Sequence, residues 1–304
     1  MPLTTRTVRL RADRRPPVFI IGGSRTGSEM LKTMLSTSPD LDFADEMFVR
    51  SPWWLHKDLK SSIRDHVGDL DREGALDALI DFLYSGKPYG WFWTCPNEQM
   101  DRIHLMEQLS GKPLTLQNIF DAIITEHARK NGKNGRGAKF PMHYAYTNKL
   151  LEWYPDCRLI HTTRNPKAVY ASQSVKYLMP EMSAVSREYL RFKQFVHINI
   201  QTAWTARLHR QLRGLENYRL VRYEDVVLDP ENSVRQLCDF LKVDYLAGML
   251  SPEQYGSSFS DIGDRKGIDS IALDRWRNTI SGFTQELMNG LHFRNLGTLG
   301  YSRD

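Results

Sequence analysis

A chain of 304 residues, 41% apolar and 25% charged, can bury a core large enough for one sizeable α/β domain or two small ones, which excludes a disordered or fibrous protein. Three widely spaced cysteines, Cys95, Cys157 and Cys238, exclude a disulfide framework and a CxxC metal or redox site, and fit a reducing, cytoplasmic compartment. The net charge of +5 favours anionic ligands, and no apolar run approaches the ~20 residues that a membrane helix needs.

In chain order, residues 1–17 are basic, poor in apolar residues and closed by Pro16-Pro17, which reads as a flexible arm before a folded domain over 18–304. That domain opens with PVFIIGG (17–23), a short buried strand. In the following SEMLKTMLSTSP, Met30, Leu31, Met34 and Leu35 share one helical face until Pro39 ends it. LQNIFDAIITEHA (116–128) has helical periodicity, and NGKNGRG (131–137) reads as an exposed glycine-rich loop. RLIHTT (158–163) and YRLVRY (218–223) read as strands, with helical patterns over about 186–212 and over 233–241. Strands that alternate with helices predict a parallel sheet covered on both faces.

Gly22-Gly23-Ser24-Arg25-Thr26-Gly27-Ser28 lies between a strand and a helix, where backbone N–H groups and the helix N-terminus make an anion site. Gly22 and Gly27 have the spacing of a GxxxxGK[ST] loop, yet Ser28 stands at the lysine position and Glu29 at the magnesium-binding hydroxyl position. A nucleotide triphosphatase or kinase would lack both groups. A 5′-phosphosulfate needs neither, and Arg25 can supply the positive charge. A second strand-turn-helix segment, LIHTTRNPKAVYAS (159–172), places Arg164 at a strand end and Ser172 about two helical turns further on.

The two segments together resemble the sulfotransferases that use 3′-phosphoadenosine-5′-phosphosulfate (PAPS), whose loop reads like GxxRSGTTxL and appears here as GGSRTGSEML. The resemblance implies a single P-loop-like α/β domain with a central parallel sheet flanked by helices. It implies that Arg25, Thr26, Gly27 and Ser28 bind the 5′-phosphosulfate, with Glu29 at a position where the family carries a hydroxyl residue. Arg164 and Ser172 fall on the 3′-phosphate site, which Arg265, Lys266 and Gly267 of the RKG-type loop complete. VRYEDVVLDPENSVRQLCDFL (221–241) is similar to the family's YEDL-and-helix segment, with Tyr223 a candidate nucleotide contact, although a plain turn and helix start accounts for the same residues.

Sulfuryl transfer requires a base for the acceptor proton and cations for the charge that develops on the sulfuryl oxygens and the departing phosphate. Glu46, 21 residues after Arg25, lies where tyrosylprotein and several carbohydrate sulfotransferases carry a catalytic glutamate, and Asp45 beside it is an alternative. His104 and His143 are further candidates. Lys139 in AKFP resembles the family lysine that stabilises the leaving phosphate, and Ser258 or Ser257 resembles a serine that assists it. The nine histidines include no close HxxxH pair, so no metal is expected.

Residues 50–135 carry no motif, and are expected to form an acceptor-binding or lid insertion. Trp53, Trp54, Tyr84, Tyr89, Trp91, Phe92 and Trp93 suit either a sugar or ring-bearing acceptor or an ordinary core. The expected partners are PAPS, with PAP as product, and an acceptor with a free hydroxyl. No helix-turn-helix, zinc or RNA-reading motif points to nucleic acid.

Overall fold

A computed structural model describes residues 15–44, 58–86, 100–141, 146–178, 181–251, 268 and 273–302. The elements run β1 (Val18–Gly22), α1 (Ser28–Ser36), β2 (Leu41–Ala44), α2 (Leu59–His66), α3 (Ala75–Leu83), α4 (Arg102–Leu109), α5 (Leu116–Lys130) and β3 (Gly135–Pro141). Then follow α6 (Thr147–Trp153), β4 (Arg158–Thr163), α7 (Pro166–Tyr177), α8 (Ala184–Leu212), β5 (Tyr218–Arg222), α9 (Tyr223–Leu228), α10 (Pro230–Leu241), α11 (Trp276–Thr279) and α12 (Gly282–Thr298).

The five strands form one sheet in the order β2-β3-β1-β4-β5, and each pairing is parallel. Every residue of β1 is buried, as expected of a central parallel strand whose two faces are both covered. Strand alternation divides its side chains between two cores. Phe19 and Ile21 join α2 to α6 and the end of α8, through residues such as Leu79, Phe120 and Leu150. Val18 and Ile20 face α1, α9 and α10, where Met34, Leu35, Val226 and Leu237 pack. Tyr84, one of the aromatic residues of the 50–135 region, packs against the first core and donates from its hydroxyl to the Met100 carbonyl at 3.3 Å.

The segment 131–137, expected to be an exposed loop, is corrected by the structure: its last three residues begin β3 and are buried. The glycines that suggested a turn serve close packing instead. A Cβ on Gly137 would press into the Val18 carbonyl oxygen and sit 2.8 Å from the Phe43 ring, and one on Gly135 would sit 2.6 Å from the Asp40 carbonyl oxygen. Lys133, within the same segment, donates to the carbonyls of Ser36 (2.5 Å) and Ser38 (2.6 Å), placing its charge at the C-terminus of α1, where the helix dipole favours a cation. β2 is only four residues long, and no strand was expected there.

Arg15 and Pro17, at the end of the basic N-terminal stretch, are bonded to the domain. Arg15 reaches the Lys242 carbonyl at 3.3 Å, and the Pro17 carbonyl accepts from the backbone of Arg158 at 2.9 Å.

Candidate functional site

In parallel sheets a ligand crevice opens beyond the C-terminal ends of two strands whose connections leave in opposite directions. Here β1 leads toward β2 on one side and β4 leads toward β5 on the other, so the crevice lies between the β1–α1 and β4–α7 turns. Both phosphate-binding segments expected from the sequence are these turns.

The β1–α1 turn is held in a conformation that its sequence makes possible. Gly22 (φ 149°) and Gly27 (φ 89°) occupy backbone regions that disfavour a side chain. A Cβ on Gly22 would collide with the Thr162 side chain and lie 2.5 Å from its carbonyl oxygen, while one on Gly27 would lie 2.6 Å from the Tyr223 ring. Arg25 also has positive φ, 68°, a conformation that costs an L-residue about 1–2 kcal/mol. Its guanidinium Nε reaches across to donate to Ser172 Oγ at 3.2 Å.

Thr26 is buried, its hydroxyl donating to the Gly23 carbonyl at 2.7 Å and lying 2.7 Å from Thr162 Oγ1. Its side chain therefore ties the turn to β4. Ser28 is buried at the first position of α1, where the free N–H groups of the helix begin.

The β4–α7 turn supplies the facing wall. The Arg164 guanidinium lies 4.1 Å from the centroid of Tyr223, whose ring packs against Gly27, so Arg164, Tyr223 and the first turn form one stack. Asn165 caps α7 by accepting from the Lys167 backbone at 3.0 Å, and Pro166 occupies the first helical turn. Ser172 is buried one and a half turns into that helix, beneath Arg25.

Lys139 is 3% exposed on the interior strand β3, beside Ile20 in the register, and its ammonium forms an ion pair with the half-exposed carboxylate of Glu29 at the start of α1. The residue that departs from the family loop is thus in contact with the candidate leaving-group lysine. Glu29 also pairs with Lys32 at 3.4 Å, one turn along α1.

Four residues of this region were not identified from the sequence as part of it. Glu224 fixes the second turn, accepting from the Asn165 backbone N–H at 2.9 Å and from the Tyr301 hydroxyl at 2.9 Å. Burial, and then the Glu224 charge, push the Tyr301 phenol well above its ordinary range, so it remains a proton-bearing donor. Lys167 is 1% exposed, with Nζ 4.3 Å from the Trp276 ring and donating to Asn289 Oδ1 at 3.1 Å, which joins α7 to α11 and α12. A Cβ on Gly23 would run into the Gln201 side chain, so α8 stands directly behind the first turn. The only sequence signal among these was Glu224 following Tyr223 in the YED segment.

Asp45, Glu46, His143, Ser257, Ser258, Arg265, Lys266 and Gly267 lie outside the described residues. His104 is exposed on α4, its Nδ1 3.4 Å from Asp101, the cap of its own helix.

The arrangement brings Arg25, Gly27, Ser172, Arg164 and Tyr223 together across two adjacent strand-to-helix turns, with Lys139 and Glu29 paired at the first. Two such turns suit a ligand with two separate phosphate-like groups. A family model described as the sulfotransferase family matches residues 16–246. No curated protein matches the chain. Among solved structures, the sulfotransferase domain of the Synechococcus olefin synthase is similar at 21% identity and a TM-score of 0.56, over 96% of this chain and 98% of that one. The sulfotransferase domain of the curacin biosynthetic pathway is similar at 19% identity and 0.55, over 95% and 99%. A sulfotransferase from Mycobacterium avium is similar at 14% identity and 0.50, over 96% and 78%. At these identities the likeness shows the fold.

Proposed function

Because the chain belongs to the sulfotransferase family, we propose that it moves a sulfuryl group from PAPS to a hydroxyl, or less readily an amine, of a carbohydrate or hydroxylated small molecule. The observation that carries this reading is the meeting of the two turns, Arg25 on Ser172 at 3.2 Å with Arg164 stacked on Tyr223 beside Gly27. A 3′,5′-bisphosphorylated nucleoside has its two anionic groups at the two ends of one ribose, which matches two neighbouring turns better than a linear triphosphate does.

In this reading the backbone N–H groups of 25–28 and the Arg25 guanidinium hold the 5′ group. Arg164 and Ser172, with Arg265, Lys266 and Gly267, hold the 3′-phosphate. PAPS supplies the sulfuryl group, and the new acceptor O–S bond forms as the bond from sulfur to the bridging phosphate oxygen breaks, releasing PAP. Glu46 takes the acceptor proton and Lys139 balances the charge left on the phosphate. The aromatic-rich region 50–135 serves the acceptor.

Calorimetry with PAP, AMP and ATP in the absence of magnesium tests the donor assignment. PAP is expected to bind at least tenfold more tightly than AMP, and Arg164→Ala to remove most of that preference. Glu46→Gln is expected to keep PAP binding and lose transfer by 100-fold or more, the range of a general base. Tighter, magnesium-dependent ATP binding would overturn the reading in favour of a phosphotransferase, and normal turnover by Glu46→Gln would remove that residue from the mechanism.

A further inference from the structure

Helix α8 is turned the opposite way from an ordinary surface helix. Toward the protein it buries Gln194, Gln201, Thr202 and Thr205 alongside Ile198 and Leu208. Outward it presents Val185 (81% exposed), Tyr189 (67%), Phe192 (67%), Val196 (38%), Ile200 (39%) and Trp204 (45%). Their spacings of three and four residues make a stripe along most of a 29-residue helix. α12 lies alongside, with His292 Nε2 2.6 Å from Asn199 Oδ1, and it too exposes large apolar side chains, Phe283 at 78% and Leu291 at 55% among them.

Taking about 150–250 Å² for a whole side chain of this size, the two helices expose on the order of 1,000 Å² of apolar surface. The largest patch on a typical monomer is about 300–600 Å². A standard interface takes about 800 Å² from each partner, and the exposed apolar area of the two helices is of that order.

We infer that this face joins two copies of the chain, with α8 packed antiparallel to α8 of the second copy about a two-fold axis between Phe192 and Val196. The order of residues along the stripe favours this occupant. In that register Val185 faces Trp204, Tyr189 faces Ile200 and Phe192 faces Val196, so every pair sets one aromatic ring against one β-branched side chain. Large against small at each level is the condition for two surfaces to interdigitate without voids. The same register brings Arg207, exposed beyond Trp204, opposite Glu181, exposed just before the helix start, so that the pair of opposite charges occurs twice by symmetry.

Sedimentation velocity of the full chain at about 1–50 µM, beside size-exclusion chromatography with light scattering, tests the inference. A particle of twice the 35.3 kDa chain mass is expected. Phe192→Glu, at an exposed position, is expected to give a monomer with unchanged circular dichroism and a melting temperature that no longer depends on protein concentration. Glu181→Arg and Arg207→Glu are each expected to weaken the dimer about tenfold, since each exposed pair is lost twice, and the double reversal to restore it. A monomeric wild type at the highest concentration overturns the inference, as does a dimer unaffected by Phe192→Glu. A double reversal no tighter than the singles overturns the antiparallel register. Wild type that stays monomeric but pellets with phosphatidylserine vesicles, and loses this with Phe192→Glu, overturns it in favour of a membrane-facing surface.

Discussion

Glu29 is a single residue whose charge runs against the loop it occupies. At the first turn of α1 the helix dipole and the Arg25 guanidinium favour an anion, and the carboxylate there engages Lys139 and, under the proposed function, would repel a ligand phosphate. At about 6 Å and an effective dielectric constant of about 40, one unit charge is worth roughly 1.4 kcal/mol, a factor of about ten in affinity. Glu29→Thr, which restores a hydroxyl, is therefore expected to tighten PAP binding about tenfold by calorimetry. Lys139→Met should then cost more in the Glu29→Thr background than in the wild type, because the ammonium is released to the ligand. Equal affinity of Glu29→Thr and wild type would show that the carboxylate's main effect is to hold Lys139 in place. The strand-to-helix turn itself was legible in the sequence, because glycines closing a short apolar run ahead of a helical pattern follow local backbone rules. The pairing of Glu29 with Lys139 was not, since it joins residues 110 apart and depends on β3 lying next to β1.

Among the elements, β3 shows why local signals mislead. Asn, Gly and Lys in close succession are turn residues by propensity, yet Gly135 and Gly137 are required where β2 and β1 crowd the strand. Gly137→Ala is expected to destabilise the fold by about 1–3 kcal/mol, the usual cost of overpacking, because the new methyl meets the Val18 backbone, which cannot swing away. Gly214→Ala, with open space at its Cβ, is the control expected to leave the urea midpoint almost unchanged. A Gly137→Ala midpoint equal to that control would mean that the strands separate at little cost. The elements β1, α1, α5, β4, α8, β5 and α10 were readable because each shows an apolar run or a helical pattern. Four-residue β2 does not, and the Glu224 clamp on the Asn165 turn is visible only once β5 lies beside β4.

For the molecule as a whole, the buried polar centre on β4 and β5 is expected to contribute to acid sensitivity. His161 is fully buried with Nδ1 2.8 Å from the Tyr218 hydroxyl, which is also 3.1 Å from His209 Nδ1. Burial, with a smaller contribution from His209, lowers the His161 pKa from 6.5 to about 3. In the unfolded chain this histidine takes up a proton near pH 6.5, while in the fold it stays neutral down to about pH 3, so the unfolded state binds more protons in that window. Stability should thus fall as pH drops from about 6 toward 3, by up to about 1.4 kcal/mol per unit from this group alone. Chemical denaturation of His161→Gln against wild type across pH 7 to 4 checks it. The variant should show a shallower acid limb, and parallel profiles would assign the acid sensitivity to other groups.

The strand order also sets a schedule for biosynthesis. β1 has its partners far downstream, with Val18 paired to Gly137 on one side and to Arg158 on the other. At about 5–20 residues added per second, a ribosome leaves this wholly apolar strand without a neighbour for on the order of ten seconds. The turn that follows β1 is tied to β4 through Thr26 and Thr162, so it closes only once β4, 136 residues further along, has been made. Until then, VFIIG is an uncovered apolar segment of the kind a chaperone shields.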